Sequence, residues 1–127
     1  AEEAEKDNEA LLAAMKEQLG DAVTKVAVST RLTDAPSAVT TEGPVSLEME
    51  RLMSQMPDGM GEVKSQRVLE LNAKHPVFQV LKDAQSAGDA EKVKLYTEIL
   101  YDQALIVEGM PIADPVAYAN AVTKLMA

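Results

Sequence analysis

The chain has 127 residues and a formal charge of −9, is 46% hydrophobic with one Phe, three Tyr and no Trp, and contains no cysteine. Such a chain is one domain with an aliphatic core; it excludes disulfides, a thiolate nucleophile and cysteine-held metal, fits a reducing compartment, and has no basic face with which to neutralise nucleic-acid phosphates. No basic segment leads into an apolar one, and no apolar run reaches the roughly eighteen residues of a membrane span, so neither a signal peptide nor a membrane partner is expected.

Residues 1–20 open on the acidic run AEEAEKDNEA, without an initiator Met, and are expected to lead in from an upstream domain of a longer protein. Leu11, Leu12, Met15 and Leu19 then make an amphipathic helix that Gly20 stops. Residues 21–127 read as the domain proper. In VTKVAVSTRL, Val26, Val28, Thr30 and Leu32 share one face and Lys25, Ala27, Ser29 and Arg31 the other, which predicts a half-buried strand. Thr33-Asp34-Ala35-Pro36 predicts a turn, with Ala38 to Thr41 as the return strand of a hairpin.

Pro44 stands where the first residue of the next helix is expected, over Val45 to Met56. Val45, Met49, Leu52, Met53 and Met56 form its apolar stripe opposite Glu48, Arg51 and Gln55. Such a stripe admits two readings. It is either core packing or, because Met is flexible and a glycine-rich loop (PDGMG) follows, an open surface that repacks around apolar partners.

Gln66 to Leu71 predicts a third strand with Leu69 and Leu71 inward. The next helix starts at Pro76, carries Val77, Val80, Leu81 and Ala84 inward, and ends at Gly88. From Asp89 to Gly109 a long helix follows, with Glu91, Lys94, Glu98 and Asp102 on one narrow polar stripe and apolar residues over most of the remaining circumference. A helix so apolar must be covered on two sides, which fits either a second copy of the chain or the centre of a monomeric bundle. Asp114-Pro115 starts a last helix with Tyr118, Ala121, Val122, Leu125 and Met126 on one side. The order of elements makes the fold class α/β (α+β), a small three-stranded sheet packed against helices.

Catalytic patterns are missing from the sequence. His75 is the sole histidine and sits before Pro76, where a helix-capping role is expected. No serine has a G-x-S-x-G setting, no glycine pattern matches a phosphate loop, and the helical carboxylates fit i, i+4 pairs such as Lys94 with Glu98. No catalytic site, metal or cofactor is expected in this segment. A monomeric regulatory or small-ligand domain of a larger enzyme is the competing reading.

RLTD at 31–34, MER at 49–51, LELN at 69–72, His75-Pro76, ILYDQALIVEG at 99–109 and Ala113-Asp114-Pro115 occur in an order and at separations that resemble the C-terminal domain of the HtpG family, the bacterial heat-shock protein 90 chaperones. The resemblance runs from about residue 20 onward. It implies a cytoplasmic homodimerisation domain whose last two long helices pair with those of a second copy in a four-helix bundle. Tyr96, Ile99, Leu100, Ala104, Val107, Tyr118, Val122 and Leu125 are the candidate interface residues. It implies too that the helix carrying Val45, Met49, Leu52, Met53 and Met56 touches unfolded or partly folded client proteins.

ATP and Mg²⁺ are implied only for the family's N-terminal ATPase domain, and the catalytic arginine for its middle domain. Several positions depart from the family pattern: Ala73 replaces a common Pro, Val45 a common Met, and Tyr96 a Trp. The acidic tail by which eukaryotic relatives recruit helical-repeat cochaperones has no counterpart in Leu125-Met126-Ala127, so those partners are not expected.

Overall fold

The computed structural model describes residues 2–55 and 65–126, with the side chains of Glu2 and Ser54 left aside. In chain order the elements are α1 (Glu2–Asp7), α2 (Glu9–Leu19), a 3₁₀ turn (Gly20–Ala22), β1 (Lys25–Val28), β2 (Ser37–Glu42), α3 (Leu47–Ser54), β3 (Gln66–Leu71), α4 (Pro76–Ser86), α5 (Ala90–Val107) and α6 (Pro115–Leu125). This is a small α+β fold.

The first residues form two helices, not one. Asn8 separates them, its side-chain amide donating to the Ala4 carbonyl at 2.8 Å. Leu11, Leu12 and Met15 of α2 belong to the same core as the sheet. Glu5 of α1 reaches the edge strand, where its carboxylate accepts the Val28 backbone N–H at 2.7 Å.

The expected hairpin does not form. The sheet order is β1-β3-β2, with β1 parallel and β2 antiparallel to the central β3. β3 suits the centre because Val68 and Leu69, on opposite faces, are both buried. The first strand also ends at Val28, four residues early, because the Ser29 hydroxyl accepts the N–H groups of Arg31 and Leu32, both at 3.1 Å, and turns the chain. The buried Asn72 then donates to the carbonyls of Thr33 and Ala35 at 3.1 and 2.9 Å. These bonds tie the connection across the end of β3 and deliver β2 to its far side.

α5 lies on the sheet and packs against α2 and α4. The Ser37 hydroxyl of β2 donates to the Leu100 carbonyl at 2.9 Å, fastening sheet to helix inside the core. In α4 the buried line is Phe78, Leu81 and Ala84, with Val77 and Val80 half-buried at its edge. Phe78 is therefore the inward residue absent from the expected stripe, and Lys82 covers its ring with Nζ 5.6 Å from the centroid. Pro76 opens α4 as expected, and His75 caps it, Nδ1 accepting the Val77 N–H at 3.1 Å. α5 ends in a Schellman motif: Gly109 N–H donates to Ile106 O and Met110 N–H to Leu105 O, with Gly109 at φ 74° and Met110 buried in the core.

Candidate functional site

Two surfaces leave apolar side chains uncovered, and the first is made by α5 and α6. Asp114 caps α6, its carboxylate accepting the Ala117 N–H at 3.0 Å, and Pro115 follows at the first turn. α6 then runs back along α5, which puts Asp114 beside Asp102 and, at the other end, Lys124 beside Leu95 and Glu98. It packs closely on no other element among the described residues, and Ala121 is its single buried residue. Burial first, then the neighbouring carboxylates of Glu98 and Asp114, hold the Asp102 carboxyl above its ordinary range.

The structure divides the eight candidate interface residues. Leu100, only 3% exposed, and Ala104 lie in the chain's own core, on the line that also carries Val93 and Thr97. Within one copy of the chain they have little surface left to give a partner. Ile99 is buried outside the central core cluster. Tyr96, Tyr118 and Val122 are half-buried, while Leu125 and Val107 are exposed, Val107 by 78%. Ile106, Val116 and Met126 are exposed as well and were not among the candidates. A sequence signal for them existed, since each is a large apolar residue at the end of a helix whose inward line other residues fill.

α3 makes the second surface. It begins at Leu47, two residues later than expected, because the Ser46 hydroxyl accepts the Met49 N–H at 3.1 Å and out-competes Pro44 as the start signal. Val45 therefore precedes the helix, half-buried, and is not part of its stripe. Met49 and Leu52 are 40% and 52% exposed and Met53 is half-buried, while Leu47 leans on the core. Met56 lies outside the described residues. No other helix or strand packs along α3 among the described residues.

A polar cluster holds α3 instead. Glu50 accepts the Ser65 backbone N–H and hydroxyl, both at 2.7 Å, and pairs with Arg67 through its other oxygen. Arg67 also donates to the Tyr101 hydroxyl at 3.0 Å. Burial works against charge on Glu50, but the Ser65 donors and the Arg67 guanidinium outweigh it and hold the carboxyl below its ordinary range. Burial likewise opposes charge on Arg67, and Tyr101 and Glu50 outweigh it, which raises the guanidinium pKa further.

The family model described as "Hsp90 protein" matches residues 1–127. The chain belongs to the Hsp90 family. Its similar relatives include proteins named "Chaperone protein HtpG" from three bacteria. The one from Clostridium perfringens is 48% identical over 94% of this chain and 19% of its own length. That from Alkaliphilus oremlandii is 46% identical over 96% of this chain and 19% of its own length. That from Bacillus subtilis is 44% identical over 99% of this chain and 20% of its own length. The chain thus spans about a fifth of the length of the relatives it matches.

In this Hsp90-family chain the polar cluster was invisible to pattern reading. Glu50, Ser65, Arg67 and Tyr101 come from three separated stretches, and each has an ordinary local setting. No described helix is long and apolar enough to cross a membrane.

Proposed function

We propose that this chain is the C-terminal homodimerisation domain of a bacterial HtpG chaperone, and that it supplies affinity rather than chemistry. The observation that carries the reading is the uncovered apolar surface of α5 and α6: Ile106, Val107, Val116, Leu125 and Met126 are all exposed on a helix pair of which α6 packs closely on α5 and on no other element among the described residues. A second copy related by a twofold axis buries that surface most simply, with the two helix pairs forming a four-helix bundle. Such an interface falls in the standard range of about 1,200 to 2,000 Å² in total. Tyr96, Ile99, Val107, Tyr118, Val122 and Leu125 remain its candidate residues, joined by Ile106, Val116 and Met126.

Joining two copies at one end makes the encounter between their remaining domains intramolecular, at effective concentrations that reach about the millimolar range. ATP and Mg²⁺ belong, on this reading, to an N-terminal domain outside the chain, and the cytoplasmic location follows from the same resemblance. The stripe of Met49, Leu52 and Met53 is the proposed contact for unfolded or partly folded clients, because thioether and leucyl side chains on a lightly packed helix adapt to varied apolar partners. Neither nucleic acid nor membrane is a proposed partner.

The test is the mass of the chain in solution over a dilution series, by size exclusion with light scattering. Twice the chain mass at micromolar concentration, falling to the chain mass on dilution, is expected. A monomer at every concentration overturns the dimer and leaves the regulatory-domain reading in its place.

A further inference from the structure

The Glu50 carboxylate fastens α3 to the central strand and to the residue just before it. Glu50 Oε1 takes two hydrogen bonds from Ser65, Oε2 takes the Arg67 guanidinium, and Arg67 Nη1 passes the connection to the Tyr101 hydroxyl, which itself donates to the Ala22 carbonyl at 3.4 Å. The path thus runs from α3 through the central strand β3 to α5, the helix whose C-terminal end carries Ile106 and Val107. Nonpolar packing along α3 is light among the described residues. None of its described side chains is fully buried, and among them Leu47 alone packs against the core. An isolated helix shorter than about 12–15 residues is marginal in water, and α3 has eight. Its place and its helicity therefore depend on what its side chains grip.

We propose that Glu50 is a positioning residue for the α3 stripe: its clamp on Ser65 and Arg67 fixes where Met49, Leu52 and Met53 are presented, and Tyr101 ties that position to α5. Three donors converge on the Glu50 carboxylate, and Glu50 and Arg67 are each mostly shielded, their side chains 15% and 17% exposed. Charge-assisted bonds in that setting are short and directional, so they set a geometry and not merely a proximity. Nonpolar packing adds little to this constraint, since no described side chain of α3 is fully buried. The consequence for client binding rests on the chaperone reading above; the clamp itself does not.

Hydrogen exchange read by mass spectrometry tests the clamp on the whole chain. In Glu50→Gln, which keeps the size and loses the charge, amides of residues 47–54 exchange at least about tenfold faster while those of β3 and α5 keep their protection. Tyr101→Phe, which keeps the ring and loses the hydroxyl, gives a smaller rise in the same segment. Binding of a fluorescein-labelled, Leu- and Phe-rich unstructured peptide weakens about three- to tenfold in Glu50→Gln, because the stripe is no longer held ready.

Unchanged exchange over 47–54 in Glu50→Gln overturns the proposal. So does an equal rise across β3 and α5, which makes the pair a support of the whole domain, and so does faster local exchange with unchanged peptide affinity. Met49→Ser with Met53→Ser separates the two ideas. Loss of peptide binding there, alongside unaltered exchange in Glu50→Gln, sinks the clamp and spares the client stripe; intact binding in the double variant sinks the client stripe itself.

Discussion

Leu100 and Val107 sit seven positions apart on α5 and are expected to fail in different ways when substituted. Leu100, 3% exposed, has nearly its whole side chain removed from water by its own chain. Truncation to Ala forfeits most of a transfer free energy of about 1.5–3 kcal/mol and adds a cavity cost, for a loss of about 2–5 kcal/mol. Against a total of about 5–15 kcal/mol for a domain, that is a large fraction. Val107, 78% exposed, has almost no burial to lose within the monomer, so Val107→Asp shifts its folding stability by no more than about 0.5 kcal/mol. If a second copy covers Val107, each of the two symmetry-related positions loses about 1.5 kcal/mol of burial, and the dimer weakens by about 3 kcal/mol, roughly a hundredfold in Kd. Urea denaturation followed by circular dichroism reads the first effect, and light scattering over a dilution series reads the second. Leu100→Ala is expected to lower the urea midpoint while the folded fraction keeps its mass, and Val107→Asp to give a folded monomer. A Leu100→Ala variant with an unchanged midpoint and half the mass would return Leu100 to the interface and refute the division of α5 drawn from burial.

Replacing Met49 and Met53 together with Ser is expected to leave mass and thermal midpoint nearly unchanged, since Met49 is exposed and Met53 half-buried, while weakening peptide binding; global unfolding would mean that the stripe is core. Gly109→Ala places a Cβ at φ 74°, about 3.4 Å from Arg51 Nη1, and is expected to cost about 1 kcal/mol by urea denaturation. No loss would show that the α5 terminus adopts another conformation. For Asp102, burial and then the Glu98 and Asp114 charges raise the folded-state pKa above the reference value of 3.8. The folded chain therefore holds that proton more tightly, so the contribution favours folding below 3.8 and is lost as pH rises through the folded value. Asp102→Asn is expected to raise stability at neutral pH and to flatten this part of the pH profile; a variant less stable than the parent at pH 7 contradicts it.

What the sequence disclosed was mostly local. His75-Pro76, Asp89 and Asp114-Pro115 announce helix starts through chemistry confined to neighbouring residues, and the structure has those caps. The two-residue period of Val26 and Val28, and the inward Leu69 and Leu71, likewise follow from alternation alone. Strand order did not, because it depends on Asn72 gripping carbonyls at Thr33 and Ala35, 39 and 37 residues away in the chain. Ser46 out-competing Pro44 was a contest between start signals two residues apart, and periodicity cannot judge it. The clamp on α3 was out of reach for the same reason as the strand order, since Glu50 and Arg67 meet across 17 positions and Tyr101 and Ala22 across 79.

A helix that is apolar nearly all round argues for a partner only after what its own chain covers has been subtracted. Along α5 the subtraction is uneven. Val93, Leu100, Tyr101, Ala104 and Leu105 are taken by the core, whereas Ile106 and Val107 at the C-terminal end are left open. Within α5 the surplus is therefore gathered at its C-terminal end, while α6 carries its own, with Val116 at its start and Leu125 and Met126 at the end that runs back towards Leu95. The C-terminal end of α5 adjoins α3, because a side chain at Gly109 would meet Arg51 Nη1. If the open end of α5 is where two copies join, each α3 borders the junction by its Arg51 side, and only a client long enough to wrap both helices reaches the Met49 and Leu52 side chains of both protomers. Bivalent capture of that kind makes client affinity depend on the dimer even though the stripe and the interface share no residue. Val107→Asp should then weaken binding of a long unstructured client far more than binding of a peptide too short to reach both helices. Equal losses for long and short clients would detach the two surfaces from one another.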